Sequence, residues 1–259
     1  MYDIDKYWAY FLGFFWGDGS VRSGVVIGIV HKDGLFLEEI FAQCMPFCKT
    51  IYNPKNKQQQ AYYRFKNKEF LKFLMENDFW DKSVLSPSKI LKIIPNELHR
   101  YFWLGYVDAD GCFSKKKVGA GGRFSFSGSF SQDWLDFSNL IKSLQIESAF
   151  YFQKDYGKGA SSVFEIKYGP DLTRLGEYLY PNGFELGLRR KYEKYIMIKD
   201  SLPKLTSQWK GVGFHKGEGR WRAYGPKNKY LGWFDTEDQA RQARLKFLAR
   251  TDASKTPET

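Results

Sequence analysis

The most suggestive chemistry in this 259-residue chain lies in two aspartates, Asp18 and Asp110, each closing an apolar segment and each followed by glycine. Residues 10 to 20 read Tyr-Phe-Leu-Gly-Phe-Phe-Trp-Gly-Asp-Gly-Ser, and residues 102 to 112 read Phe-Trp-Leu-Gly-Tyr-Val-Asp-Ala-Asp-Gly-Cys. Gly13 matches Gly105 and Asp18 matches Asp110, both at an offset of 92. Apolar residues nearly all round predict two buried helices, Tyr7 to Trp16 and Leu98 to Val107. Gly13 and Gly17 are four apart, as are Gly105 and Ala109, so each helix offers a small-residue strip on which the other backbone approaches closely. A crossing there brings Asp18 beside Asp110. Helix C-termini already carry partial negative charge and unpaired carbonyls, so two added carboxylates call for a cation. Asp18, Asp110 and the carbonyl oxygens of Gly17 and Ala109 form an all-oxygen set suited to Mg²⁺, an ion that favours phosphate partners. The plainer alternative is a turn with glycine just past each helix end. Two copies in matched repeats favour the site.

These helices belong to a longer internal repeat, which decides the architecture. The run ending at Asp33 parallels the run ending at Asp133 at an offset of 100, with glycine-rich residues 119 to 122 taking up the extra length. From Arg123 to Ser131 the pattern alternates, Phe124, Phe126 and Phe130 on one face and Arg123, Ser125, Ser127, Ser129 and Ser131 on the other, as a half-buried strand requires. Asp33 and Asp133 read as helix N-caps. A second strand region follows in each half, with Tyr63 and Phe65 inward against Arg64 and Lys66, then Phe164 and Ile166 inward against Glu165 and Lys167. Helices over about 67–77 and 88–94 close the first half, and 170–180 and 189–199 the second. The expected fold is α+β: two pseudo-symmetric αββαββα halves, residues 1–96 and 97–202, followed by a small module over 203–259.

With 19% aromatic residues the chain has ample material for a core, and its net charge of +11 points to a polyanionic partner. The charge is uneven. Between Lys204 and Arg250, eleven Lys or Arg stand against Glu218, Asp235, Glu237 and Asp238, so +7 of the +11 lies in this stretch. The longest apolar run, Tyr7 to Gly17, is shorter than the roughly 20 residues that span a bilayer. Asp3 and Asp5 stand where a secretory leader is basic. An intracellular, cytoplasmic or nucleoid-associated protein is therefore expected, with no membrane partner. Cys44, Cys48 and Cys112 share no ligand spacing with His31, His99 or His215, so neither zinc nor a disulfide framework is expected.

Leu12-Gly13-Phe14-Phe15-Trp16-Gly17-Asp18-Gly19 and Leu104-Gly105-Tyr106-Val107-Asp108-Ala109-Asp110-Gly111 resemble the two motifs of a single-chain LAGLIDADG homing endonuclease, over about residues 5 to 200. Trp16 and Phe11 depart from that pattern, but both metal-position aspartates are present. The resemblance implies a monomer whose two sheets form a saddle over double-stranded DNA. Two or three Mg²⁺ ions shared between the halves would serve a staggered double-strand break in a long pseudo-palindromic target, with Mn²⁺ or Ca²⁺ able to substitute for binding. It also implies a basic residue near each scissile phosphate: Lys82 in the first half, and one of Arg189, Arg190 and Lys191 in the second. DNA contacts are expected from Arg22, Arg64 and Lys66, and from Lys115, Lys117, Arg123, Ser125, Ser127, Ser129 and Lys167. An RNA maturase or a non-cleaving DNA-binding regulator would use the same saddle.

Residues 206 to 250 read as three short strands and a helix, Thr236 its N-cap and Glu237, Asp238 and Gln239 at its positive end. Ala240, Ala243 and Phe247 are expected to pack on Trp221 and Ala223, leaving Arg220, Arg222 and Tyr224 on the open face. Through Gly-Val, Trp-Arg-Ala and Leu-Gly-x-Phe-Asp-Thr-x-x-x-Ala, the module resembles an Apetala-two (ethylene-response-factor) type DNA-binding domain. That implies DNA contacts from Arg220, Arg222, Tyr224, His215 and Tyr230. Gly213 stands where that family often places a contacting Arg, and His215 and Tyr230 replace other contact types, so phosphate binding is the expectation rather than base readout.

Overall fold

The computed structural model describes residues 2–21, 25–44, 49–52, 60–65, 67–116, 121–154, 160–202 and 207–253. They belong to two compact units, Met1–Ser201 and Leu202–Thr259.

The first unit is an α+β body in which one plan occurs twice. Its first half runs α1 (Lys6–Asp18), β1 (Gly19–Val21), β2 (Val25–Val30), α2 (His31–Cys44), β3 (Lys49–Tyr52), β4 (Gln60–Phe65), α3 (Lys68–Glu76) and α4 (Ser88–Ile93). The second runs α5 (His99–Asp110), β5 (Gly111–Lys115), β6 (Gly122–Ser129), α6 (Leu135–Ser143), β7 (Phe150–Lys154), β8 (Ser161–Ile166), α7 (Gly169–Leu179) and α8 (Arg189–Ser201). Both sheets are antiparallel and ordered alike, β1-β2-β4-β3 and β5-β6-β8-β7.

Asp5 starts α1 by accepting the Tyr7 and Trp8 N–H groups, both at 2.9 Å. The core is the crossing of α1 and α5, where Phe11, Phe15, Trp16, Phe102 and Val107 are nearly or wholly buried. Glycine makes the crossing possible. A side-chain carbon at Gly13 would lie 1.9 Å from the Phe102 carbonyl oxygen, and one at Gly105 would lie 2.0 Å from that of Tyr10. Each value is well inside van der Waals contact, so any larger residue drives the helices apart. Gly19 and Gly111, just past the two ends, have φ of −74° and −83°. Neither adopts the left-handed conformation of a glycine cap, so the simple turn does not explain them. Crowding does: a side chain at Gly19 would come within 2.4 Å of the Phe15 carbonyl oxygen.

On β6, Phe124 and Phe126 are buried while Arg123 and Ser127 face outward, as alternation requires. Phe130 departs from the expected pattern. The strand ends at Ser129, and Phe130 lies in the turn beyond it, 41% exposed. Glu165 is on the outer face yet buried, because Arg123 and Lys167 close over its two oxygens at 3.3 and 2.8 Å. Asp133 accepts the Leu135 N–H at 2.9 Å at the start of α6. Asp33 does not cap α2, which begins at His31, but sits buried in its first turn. Tyr63 and Phe65 lie on β4, whose side chains are outside the described set, as is Cys48.

The second unit pairs β9 (Val212–His215), β10 (Arg220–Tyr224) and β11 (Tyr230–Phe234) in the order β11-β10-β9, with α9 (Glu237–Ala253) across one face. Thr236 and Gln239 close a reciprocal cap: Gln239 N–H donates to Thr236 Oγ1 at 3.2 Å and Thr236 N–H to Gln239 Oε1 at 3.3 Å. Ala240 and Ala223 are fully buried. The same helix edge also carries Arg244, buried, and Arg241, whose guanidinium lies 3.6 Å from the Trp209 ring centroid.

Gly13→Ala should destabilise the first unit by about 3 kcal/mol in urea unfolding, since the added carbon meets backbone rather than a movable side chain. Ser20→Ala, at an exposed position, should leave that transition within about 0.5 kcal/mol.

Candidate active site at the paired helix ends

The crossing of α1 and α5 delivers their C-terminal ends to one place. The position a side-chain carbon at Gly17 would occupy lies 2.4 Å from the Ala109 Cβ and 3.0 Å from Asp110 Oδ2. The Asp110 carboxylate therefore lies against the last turn of α1, one residue from Asp18.

Two lysines meet this concentration of negative charge. Lys82, between α3 and α4, donates from Nζ to the carbonyls of Trp16 at 2.6 Å and Gly17 at 2.5 Å, the last turn of α1. Lys191, in the first turn of α8, donates to Val107 and Gly111, each at 2.8 Å, and to Asp108, all at the end of α5. A cation on the exposed carbonyls of each helix C-terminus is the arrangement the helix dipole favours. The lysines are thus counterparts, a match the unequal spacing in sequence conceals. Arg190 faces elsewhere, gripping Asp33 with Nε–Oδ1 at 2.8 Å and Nη2–Oδ2 at 2.6 Å and tying α8 to α2. Arg189 lies over the Phe184 ring, 4.3 Å from its centroid.

Burial raises the Asp18 carboxyl above its ordinary range, with Lys82 and Lys191 pulling it back. Asp110 is lifted further, to about 7, by burial and then by the charge on Asp18. Desolvation lowers Lys82 to about 8 against the pull of Asp110 and Asp18, and lowers Lys191 as well. Two carboxylates that resist ionising together are a donor pair that a divalent cation completes. Among the described residues no group of three or more His, Cys, Asp or Glu converges. The donors this pair offers are carboxylate oxygens, the kind a hard divalent cation takes. Of the carbonyls expected to face the ion, that of Gly17 accepts Lys82.

Asp108 is a site residue to which the sequence alone does not point. It is 2% exposed and accepts the Tyr10 hydroxyl at 2.8 Å and the Leu188 N–H at 2.7 Å, joining α1, α5 and the approach to α8. Burial raises its carboxyl to about 6. Trp16 holds the matching position in the first motif, so the signal was an asymmetry between the motifs.

The expected nucleic-acid contacts fall into groups. Ser127 and Ser129 line a cleft of about 270 Å³ together with Lys82 and Asp110. Lys115, Arg123 and Lys167 line a second depression on the outer side of the β5–β6 pair, and Ser125 lies between them on the β6 register. Arg22, Lys66 and Lys117 lie outside the described residues, and Arg64 is described only by its backbone place on β4, opposite Val26 and Lys49. In the second unit the open sheet face gathers Arg222 over the rings of Trp233 and Tyr224, at 5.6 and 5.8 Å. His215 packs on Trp233 and Tyr230 on Tyr224. Arg220 pairs with Asp235 at 3.0 Å.

No protein-family model matches the sequence, and no curated protein does. Among solved structures, the chain resembles the LAGLIDADG homing endonuclease I-LtrWI, bound to its target DNA. The TM-score is 0.50 at 12% identity, covering 75% of this chain and 90% of that one. The LAGLIDADG meganuclease I-AabMI, bound to uncleaved DNA, gives 0.47 at 15% identity over 76% and 91%. Mesophilic variants of I-DmoI give 0.46 at 15% over 67% and 95%. At these identities the likeness to I-LtrWI is one of fold.

A carboxyl whose pKa is higher in the folded chain than in the unfolded one contributes stability that is lost as pH rises through the folded value. Asp110, about 7 when folded, against about 3.9 when unfolded, sets that window. In EDTA the melting temperature of the first unit should fall between pH 5 and pH 7.5. Asp110→Asn should reduce this slope, leaving the part that comes from Asp108, as scanning calorimetry at matched ionic strength would read.

Proposed function

We propose that this chain is a site-specific DNA endonuclease of the LAGLIDADG homing type, acting as a monomer on a long, imperfectly palindromic duplex. The convergence of Asp18 and Asp110 at two glycine-crossed helix ends carries the reading. The repeated motif, the shared strand order of the two sheets and the excess of Lys and Arg support it.

In this reading the sheets' outer faces lie against the duplex and bring one phosphodiester of each strand to the carboxylate pair. Arg123, Lys167 and Lys115 engage phosphates, while Ser125, Ser127 and Ser129 offer hydroxyls toward base edges. Asp18 and Asp110 would hold Mg²⁺, an ion that would supply charge neutralisation at the phosphate and activation of water for hydrolysis. Lys82 and Lys191 keep the two helix ends seated while that charge builds. The second unit adds backbone contacts through Arg220, Arg222 and Tyr224, with His215 and Tyr230 flanking them, in the manner of an ethylene-response-factor type domain.

Selection from a randomised duplex library in Mg²⁺ should recover one long site cut in both strands with a stagger. Asp18→Asn and Asp110→Asn should each lose about 10³-fold or more in cutting rate, with DNA affinity kept in a filter-binding assay. Recovery of RNA splicing activity, or of tight DNA binding without any cut, would select the maturase or the regulator instead. Deleting residues 203–259 should lower the slope of log affinity against log salt by about one for each phosphate that the second unit neutralises. An unchanged slope would mean the second unit touches no phosphate.

A further inference from the structure

The second unit has a sheet face that its own core does not use. Toward α9 the strands send Ala223, fully buried, and the rings of Phe214 and Trp221, 5.3 Å apart. The register puts a different set on the other side. Arg220 stands opposite His215, Arg222 opposite Gly213 and Trp233, and Tyr224 opposite Tyr230. The outer face of an antiparallel sheet ordinarily carries polar residues, whereas this one carries three large rings and an imidazole.

The rings form one continuous row. Centroids lie 5.3 Å apart between His215 and Trp233, 6.2 Å between Trp233 and Tyr230, and 5.6 Å between Tyr230 and Tyr224. His215 and Trp233 belong to the two outer strands, which stand about 10 Å apart at the usual strand spacing, so their side chains meet only by leaning over β10. Arg222 is set among these rings, and its buried Nε has no hydrogen-bond acceptor among the described residues. Ring faces rather than a carboxylate hold that cation. Arg220 is committed to Asp235, and Gly213 offers no side chain. Lys216 and Lys227 are exposed in the turns at the two ends of β10.

A duplex keeps its base faces inside its own stack and shows a protein phosphates and base edges. Aromatic rings laid along a sheet match the faces of unpaired bases instead, and cations beside them match the phosphates between those bases. We infer that the open face of the second unit binds an unpaired polynucleotide strand. Its bases stack on Trp233, Tyr230 and Tyr224, and its phosphates meet Arg222, Lys216 and Lys227. This site is independent of the acidic helix ends and does not require that the chain cut DNA.

The test is binding of the full chain in EDTA, which separates binding from any cleavage, read by fluorescence anisotropy. Three labelled probes of about twelve nucleotides are compared at one salt concentration: oligothymidine, an abasic deoxyribose-phosphate strand of the same charge, and a duplex. Wild type should bind oligothymidine about tenfold or more tighter than the abasic strand, because one or two stacked bases give that much. Tyr230→Ser removes a ring that is 48% exposed and should melt within a few degrees of wild type. It should weaken oligothymidine about fivefold and leave the abasic strand within about twofold. Trp233→Ser should weaken oligothymidine about tenfold or more, and Trp233→Phe, which keeps a ring, should recover part of the loss. Oligouridine binding more tightly than oligothymidine would identify the strand as RNA, and the reverse as DNA; either supports the inference. Equal affinity for oligothymidine and the abasic strand would overturn it, as would a Tyr230→Ser chain that keeps the wild-type ratio between them. Losses by Tyr230→Ser and Trp233→Ser as large for the duplex as for oligothymidine would also overturn it, placing a duplex on this face. None of these outcomes bears on the nuclease reading, which the cleavage assays test separately.

Discussion

Everything in the first unit depends on bringing two helix C-termini, each carrying an aspartate, into one small volume. Each end has its dipole charge, its carbonyls without a helical partner and a carboxylate, and gathering such like charges is unfavourable. The chain offsets part of that cost itself. Lys82 and Lys191 sit on the carbonyls, so the backbone charge is met by cations built into the fold. The carboxylates are met only in part: the lysines lower both, yet burial and the charge on Asp18 keep Asp110 raised to about 7. That leftover electrostatic demand is what the proposed divalent ion would meet.

The glycines are the steric half of the same constraint. Gly13 and Gly105 let the backbones touch, Gly17 leaves room for Asp110, and Gly19 and Gly111 turn the chain into β1 and β5 where a side chain would strike the preceding turn. Because each first strand begins directly after its helix, the sheets are anchored to the acidic tips. A polymer laid on the outer faces of those strands is therefore registered against the carboxylates. Asp108, Tyr10 and the Arg190–Asp33 pair stiffen the arrangement from behind.

Much of this was legible in the sequence because repetition doubles a weak signal. One Asp-Gly after an apolar run means little, but two in matched frames, each with small residues four apart, define a crossing. Alternation placed Phe124, Phe126 and Arg123 correctly because a half-buried strand has a strict period of two. What escaped was chemistry set by tertiary placement. Glu165 looks solvent-facing in the pattern and is covered by Arg123 of its own sheet and by Lys167 just past the end of β8. Asp33 has the look of an N-cap and instead holds an arginine 157 positions away. The match between Lys82 and Lys191 was hidden by unequal chain lengths, and Asp108 broke the repeat where a motif comparison expects sameness. Buried charge pairs carry no local period, so no window of sequence reveals them.

Whether Asp18 and Asp110 act as one divalent-ion site is tested most directly by anomalous diffraction from the full chain crystallised with its selected duplex and Mn²⁺. Anomalous density is predicted in coordinating contact with a carboxylate oxygen of each aspartate and with a phosphate of the bound duplex. Density held by neither aspartate, or two carboxylates turned away from each other with the duplex lying on another face, would contradict it.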